Sequence, residues 1–299
     1  MKKHVLFAAA ALAIPAAVLA ARIPAHVPVA AIATPAPMPT PMSTIAPQTV
    51  TVSPGKLSYR LPGEFQHAER PVDPPADHVR FRRAFEIMTY QVSARDYARC
   101  VTEGACEAVP PAPADGDDLP VTGVNFRDAT AYAEWLSKRT GETWRLPTDE
   151  EWAYAAAERF DEKALEIEDT ANPATRWIAR YLSEAEAARG SDPQPKPQGH
   201  FGPNSNGIYD VAGNVWEWTS TCYRRAALDQ RGRIDASTDN CGVRVVGGRH
   251  RGYMSFFIRD GKSGGCAAGL PPDNLGIRLV KERPSRLAAF RALWRRDVL

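Results

Sequence analysis

The sequence predicts a mixed α/β domain with few helices, short strands and many loops, and three observations predict it. Two amphipathic helices carry capping residues at their starts, Asn125 and Thr148. From Asn204 to Val280 the chain alternates glycines, aromatics and short apolar pairs, the texture of short strands and tight turns and not of a doubly wound sheet. Twenty-six prolines and 21 glycines in 299 residues point to many loops or a linker. With 44% apolar and 24% charged residues, the chain can bury the core of one domain of ~200–250 residues or of two smaller ones. A net charge of +2 leaves no nucleic-acid footprint. A polytopic membrane protein is excluded, because only the first 21 residues form a long apolar run.

Residues 1–21 read as an export signal. Lys2, Lys3 and His4 precede the apolar stretch Val5–Ala20, and Val18-Leu19-Ala20 offers small residues to a signal peptidase. The segment is either cleaved or kept as an N-terminal anchor that would attach the protein to a membrane. Both readings export the remainder to the periplasm. Residues 22–56 form a Pro/Ala/Thr-rich linker with eight prolines between Pro24 and Pro54, expected to build neither helix nor sheet.

The folded domain is expected over 57–282. Leu57–Val79 reads as short strands and loops, and FEIMTYQVS (85–93) alternates as a strand. Ser93 then caps a helix, ARDYARCV. Asn125 with Asp128 opens a second helix, whose apolar stripe is Ala129, Tyr132, Ala133, Trp135 and Leu136 and which Gly141 ends. Thr148 with Glu151 is a capping box for a third, in which Trp152, Ala155 and Ala156 face inward. Between Asp161 and Pro203 the pattern weakens, apart from a helical stretch around Ile178–Ala188. Residues 283–299 form a basic amphipathic helix with Leu287, Phe290, Leu293 and Trp294 on one side, suited to the domain's surface, an anionic membrane or a partner.

Export changes how cysteines read, because the compartment is oxidising. Cys100 and Cys106 lie six positions apart, and Cys222 and Cys241 flank an 18-residue polar loop; Cys266 is left over. Four cysteines allow three pairings, and nearest neighbours are the expected ones. No Cys-x-x-Cys occurs, so thioredoxin-like work and a zinc ribbon lack support.

The familiar catalytic signatures are missing: there is no phosphate loop, nucleophile elbow or His-Glu-x-x-His. Pro147 biases Leu146 away from helix, and Thr148 takes the orphan amides of the helix that follows. Arg145, beside Trp144, is expected to stack or to pair with a buried carboxylate. Trp216 and Trp218 project to one side of an extended segment, with Glu217 opposite. An acidic residue between two large apolar ones needs a cation or a metal if buried. Asp210, Glu217 and the carbonyls between them would suit calcium; an arginine, such as Arg145, is the alternative partner.

Four stretches in order carry a resemblance: Pro120–Ala156 with RLPT-x-x-EW, Asn206–Ser220 with GNVWEW, RVVGGRHRG (244–252) and NLGIRLV (274–280). Together they resemble the formylglycine-generating enzyme, or sulfatase-modifying factor, domain family over roughly 57–282. The resemblance implies a compact α/β domain related to C-type lectin-like folds. It also implies a structural calcium on the second motif, held by the side chains of Asp210 and Glu217 and the carbonyls of Gly213 and Val215. The region matching the family's second calcium site, 172–192, departs too far to assign.

One departure decides the expected function. Oxidising members of the family bind copper(I) through two cysteines five residues apart, soft ligands that suit the ion. Here Cys266 resembles the second of them, and Gly261 stands where the first would be. Iron-dependent members of the wider family take their iron from histidines that include a separate helical domain, which is not expected here, so neither copper nor iron is supported. The stretch 241–280 looks like an exported branch of the family associated with copper nitrite reductase in denitrifying bacteria. The expected protein is therefore an exported accessory protein that binds or matures a periplasmic partner, with copper nitrite reductase the partner implied. The alternative is a metal- or oxygen-dependent oxidase using Cys266 and His250. Candidate residues around that position are His250, Arg251, Tyr253, Arg259, Asp260 and Cys266.

Overall fold

Thr49–Val52 is the first strand, β1, and it begins inside the stretch expected to lack sheet. Four β-branched residues in a row outweigh the flanking prolines, and Val52 is buried in the core. The structure, a computed structural model, describes residues 46–110, 116, 118–160, 173–187, 192–263 and 273–282, and the backbone of 265–267. The expected export signal, most of the expected linker and the C-terminal segment read as a basic helix lie outside these residues.

Four further short strands follow, β2 (Gly55–Arg60), β3 (Glu64–His67), β4 (Arg70–Val72) and β5 (Ala76–Phe81), then β6 (Phe85–Met88). Helix α1 (Ala94–Thr102) is capped by Ser93, whose hydroxyl accepts from Asp96 N at 3.0 Å. Helix α2 (Phe126–Thr140) has the reciprocal Asn125–Asp128 box and ends at Gly141 in the left-handed region. Its predicted stripe is buried throughout. After β7 (Thr143–Arg145), the Thr148–Glu151 box opens α3 (Asp149–Ala156). Helix α4 (Pro173–Ala187) starts five residues before the expected stretch, with proline in the first turn, where its missing N–H costs nothing.

The largest difference from expectation comes next. The residues between Cys222 and Cys241 are not a loop: β8 (Trp216–Leu228) and β9 (Ile234–Gly247) form one long antiparallel hairpin. Its outer arm is exposed along most of β9, so no apolar alternation marks it in the sequence. The remaining strands, β10 (Arg251–Ser255), β11 (Gly265–Ala267), β12 (Leu275–Gly276) and β13 (Val280–Glu282), are short, as expected.

The strands make three sheets: β1-β6-β13-β7; β11-β10-β9-β8-β3-β4, with β12 parallel to β8; and the pair β2-β5. Two apolar clusters form the core. The larger holds Trp135, Leu136, Trp216 and Trp218, and the smaller holds Ile87, Trp152, Ile208 and Val280. Gly247 and Gly248 explain the RVVGG motif, since a Cβ at the first would collide with the Trp152 indole and at the second with Trp216. Gly247→Ala is expected to cost about 1–3 kcal/mol by overpacking, read as a lowered urea midpoint at unchanged slope.

Candidate functional site

The GNVWEW motif enters the core as the start of β8. Trp216 and Trp218 join the larger cluster, while Glu217, on the opposite face, turns toward Trp152 of the smaller one. Glu217 and Arg278 are both fully buried and form a two-armed ion pair, Nε to Oε2 and Nη2 to Oε1, each 2.9 Å. The cation is therefore Arg278, from the NLGIRLV motif. Arg145, the partner suggested by sequence, instead forks onto Glu151 at 2.6 and 2.7 Å and reaches Glu282 at 2.7 Å. Burial alone would raise the Glu151 carboxyl, but Arg145 and the Thr148 amide outweigh it and hold the group below the usual range.

Both members of the central pair are saturated. Arg278 spends its other N–H groups on the carbonyls of Met88, Thr89 and Tyr209. Glu217 accepts two further bonds, from Trp152 Nε1 at 2.7 Å and from Gln91 Nε2 at 2.8 Å. Four donors on two carboxylate oxygens fill its acceptor positions.

The loop before β8 is strained. Asp210, Ala212 and Asn214 all have positive φ, 59°, 58° and 60°, a conformation that costs a non-glycine residue on the order of 1 kcal/mol or more. Asp210 holds the loop by accepting from Gly199 N at 2.6 Å and Phe201 N at 2.8 Å. Asn214 bonds Lys196 through both ends of its amide. The carbonyls of Gly213 and Val215 then face the Gln91 amide, 3.5 and 3.1 Å from Nε2.

Three of the four expected calcium donors, Gly213 O, Val215 O and Glu217, thus meet at one point, and a protein amide holds that point. Turned over, that amide would set its own oxygen against three others, so its donor end faces inward. Its oxygen is left buried without a hydrogen-bond partner. The fourth donor, Asp210, is committed to backbone amides. As arranged, these residues do not fit a calcium ion: the carboxylate has no free acceptor position, and Gln91 with Arg278 supplies the donors a cation would replace.

The described residues of the second predicted group each have partners of their own. His250 is buried, its ring edge-on to Trp216 at 4.5 Å and its Nδ1 3.0 Å from Arg251 O. Arg251 pairs with buried Asp149 at 2.9 Å. The Tyr253 hydroxyl accepts from Gly63 N at 2.8 Å. Arg259 forks onto Asp128 at 2.9 Å and so secures the start of α2. Asp260 is exposed and accepts from Lys262 N. Each of these described side chains thus has a partner within the fold.

The cysteines follow the expected pairing. Cys100–Cys106 and Cys222–Cys241 are disulfides, with Cα atoms 5.3 and 4.5 Å apart. Of five cysteines, four are thereby used and only Cys266 remains. It lies in β11 opposite Tyr253, its side chain outside the description, while Gly261 is buried at the start of a short 3₁₀ turn. Among the described residues no three His, Cys, Asp or Glu side chains group as metal ligands, and no helix is long and apolar enough to cross a membrane. An open cleft of roughly 310 Å³ lies elsewhere, between β3 and the hairpin arm, lined by Glu64, Gln66, Arg225 and Thr238 among others.

Comparison with known proteins agrees with this architecture. A family model described as "Sulfatase-modifying factor enzyme 1-like domain" matches residues 34–283. The formylglycine-generating enzyme of Streptomyces coelicolor is 31% identical over 146 residues, 47% of this chain and 45% of that protein. The inactive C-alpha-formylglycine-generating enzyme 2 of Mus musculus is 34% identical over 117 residues, 38% of this chain and 36% of that protein. The chain thus spans less than half the length of either relative. The solved structure of PvdO from Pseudomonas aeruginosa shares the fold, with a TM-score of 0.51 and 23% identity over 81% of this chain and 96% of that one.

Proposed function

The chain belongs to the sulfatase-modifying factor enzyme 1-like domain family, and on that premise we propose that it is an exported accessory protein that binds or matures a periplasmic partner and does not generate formylglycine. One observation carries this reading. A copper(I) site of the family's kind needs two reduced thiols, and here the residue five before Cys266 is a glycine while every other cysteine sits in a disulfide. That a protein named as an inactive member is among the relatives supports it further. Two disulfides and the basic-then-apolar N-terminus support export. Copper nitrite reductase is the partner we put forward, on the resemblance of residues 241–280 to an exported branch associated with that enzyme.

The retained motifs then serve the scaffold. We read the centre around Glu217 as a metal-free polar lock, with Gln91 and Arg278 where a cation would be, and not as a calcium site.

The test is direct. Incubated aerobically with copper(I) and a cysteine-bearing sulfatase-type peptide, the protein is expected to leave the cysteine unconverted in the mass spectrum. Repeated turnover to the aldehyde would overturn the proposal. For the partner, immobilised protein is expected to retain purified copper nitrite reductase, and an empty column under mild conditions would remove that candidate.

A further inference from the structure

Among the described residues, most of the buried or half-buried arginines face carboxylates: Arg145, Arg251, Arg259 and Arg278 are examples. Arg244 does not. It stands opposite Cys222 in the β8–β9 ladder, where the register shifts on both sides of Cys222. Its Nη1 donates to Ser220 O at 2.6 Å and to the Cys222 sulfur at 3.2 Å. Its guanidinium lies over the Phe126 ring at 4.2 Å, and its Nε is buried with no hydrogen-bond partner. Burial lowers its pKa, and no acidic neighbour offsets this. A desolvated cation is therefore aimed at one sulfur of a disulfide. That disulfide is asymmetric, because Cys222 is half-buried and Cys241 exposed. The other one differs: Cys100 and Cys106 are both buried, at 0% and 9% exposure.

We propose that Cys222–Cys241 is a thiol–disulfide exchange site, at which a low-molecular-weight thiol attacks Cys241 and Arg244 holds the departing Cys222 sulfur. The chemistry balances as follows. The incoming thiolate forms a bond to Cys241 Sγ; the Cys222–Cys241 bond breaks, and its electron pair leaves on Cys222 Sγ as thiolate. A second thiolate attacks the mixed disulfide and expels Cys241 thiolate, which takes a proton from water. Two thiols are oxidised to one disulfide and the protein's disulfide is reduced; the reverse sequence oxidises two thiols of the protein. A positive charge beside one sulfur favours this in two ways: it makes Cys222 the better leaving group, and it stabilises the reduced form. The exposed sulfur can be reached from solvent.

The experiment uses the full folded chain in graded glutathione buffers, quenched by isotopic alkylation and read by peptide mass spectrometry. Cys222–Cys241 is expected to open while Cys100–Cys106 stays closed, with glutathione trapped on Cys241 and not on Cys222. Once that pair is reduced, Cys222 should alkylate roughly ten-fold faster than Cys241 at pH 7, because its thiolate fraction rises as its pKa falls below the ordinary ~8.5. Arg244→Gln should slow opening by about ten-fold, and Arg244→Lys should keep most of it, since the effect rests on charge. Closed Cys100–Cys106 in the variants reports that they remain folded. Equal opening of the two disulfides, glutathione on Cys222, or an unchanged rate in Arg244→Gln would each overturn the proposal.

Discussion

Arg278→Leu should lose about 3–5 kcal/mol of folding stability, because it leaves Glu217 charged, fully buried and without its counter-ion. Chemical denaturation checks it, as a fall in midpoint at constant slope. The magnitude follows from the geometry: the pair has no solvent contact, and Arg278 also satisfies the carbonyls of Met88, Thr89 and Tyr209. The double variant Arg278→Leu with Glu217→Leu should recover part of the loss, since removing both charges ends the electrostatic penalty. Recovery stays incomplete because the three carbonyls remain unmet. A single-variant cost below ~1 kcal/mol would mean that the pair is not desolvated as described.

Gln91→Glu should be nearly as severe, and reversible by a metal. The substitution removes the one N–H₂ group at the point where Gly213 O, Val215 O and Glu217 meet, and sets a second carboxylate there. Two like charges at hydrogen-bond distance in a buried site repel each other and cost on the order of 2–4 kcal/mol. The four oxygens then form a hard-donor set of the kind calcium takes. Thermal unfolding of this variant should therefore shift upward with millimolar calcium and downward with a chelator, while the parent protein responds to neither. A parent whose midpoint rises with calcium would show that the amide does not replace the ion.

Much of the fold was legible because local signals and tertiary packing agree. The caps at Ser93, Asn125 and Thr148 and the stripe of α2 are written in residues a few positions apart, and all appear as read. β1 was hidden by proline-rich neighbours, and the hairpin arm by its two polar faces, for which no period-2 pattern exists. At the centre, Glu217 stood out as an ion among apolar residues, and Arg278 in NLGIRLV carries the same signal, though its pairing spans 61 residues. Gln91 had no such mark: a neutral amide in a strand-like stretch looks ordinary until the backbone brings it to Glu217. Among the polar residues after Gly248, Arg251 and Tyr253 share one face of β10, and their partners, Asp149 and the Gly63 amide, lie far off in the sequence, where no local pattern marks them.

The small sheet β1-β6-β13-β7 also constrains when this domain can mature. Strand β6 lies between a strand from residues 49–52 and one from residues 280–282, so its ladder joins the two extremes of the fold. Arg278, the counter-ion for Glu217, arrives with that last strand. A chain emerging from a ribosome therefore cannot complete its core until nearly all of the domain has been made. Closure at such long sequence separation is slow, which leaves a window in which the nascent polypeptide has its central ion pair still unmade.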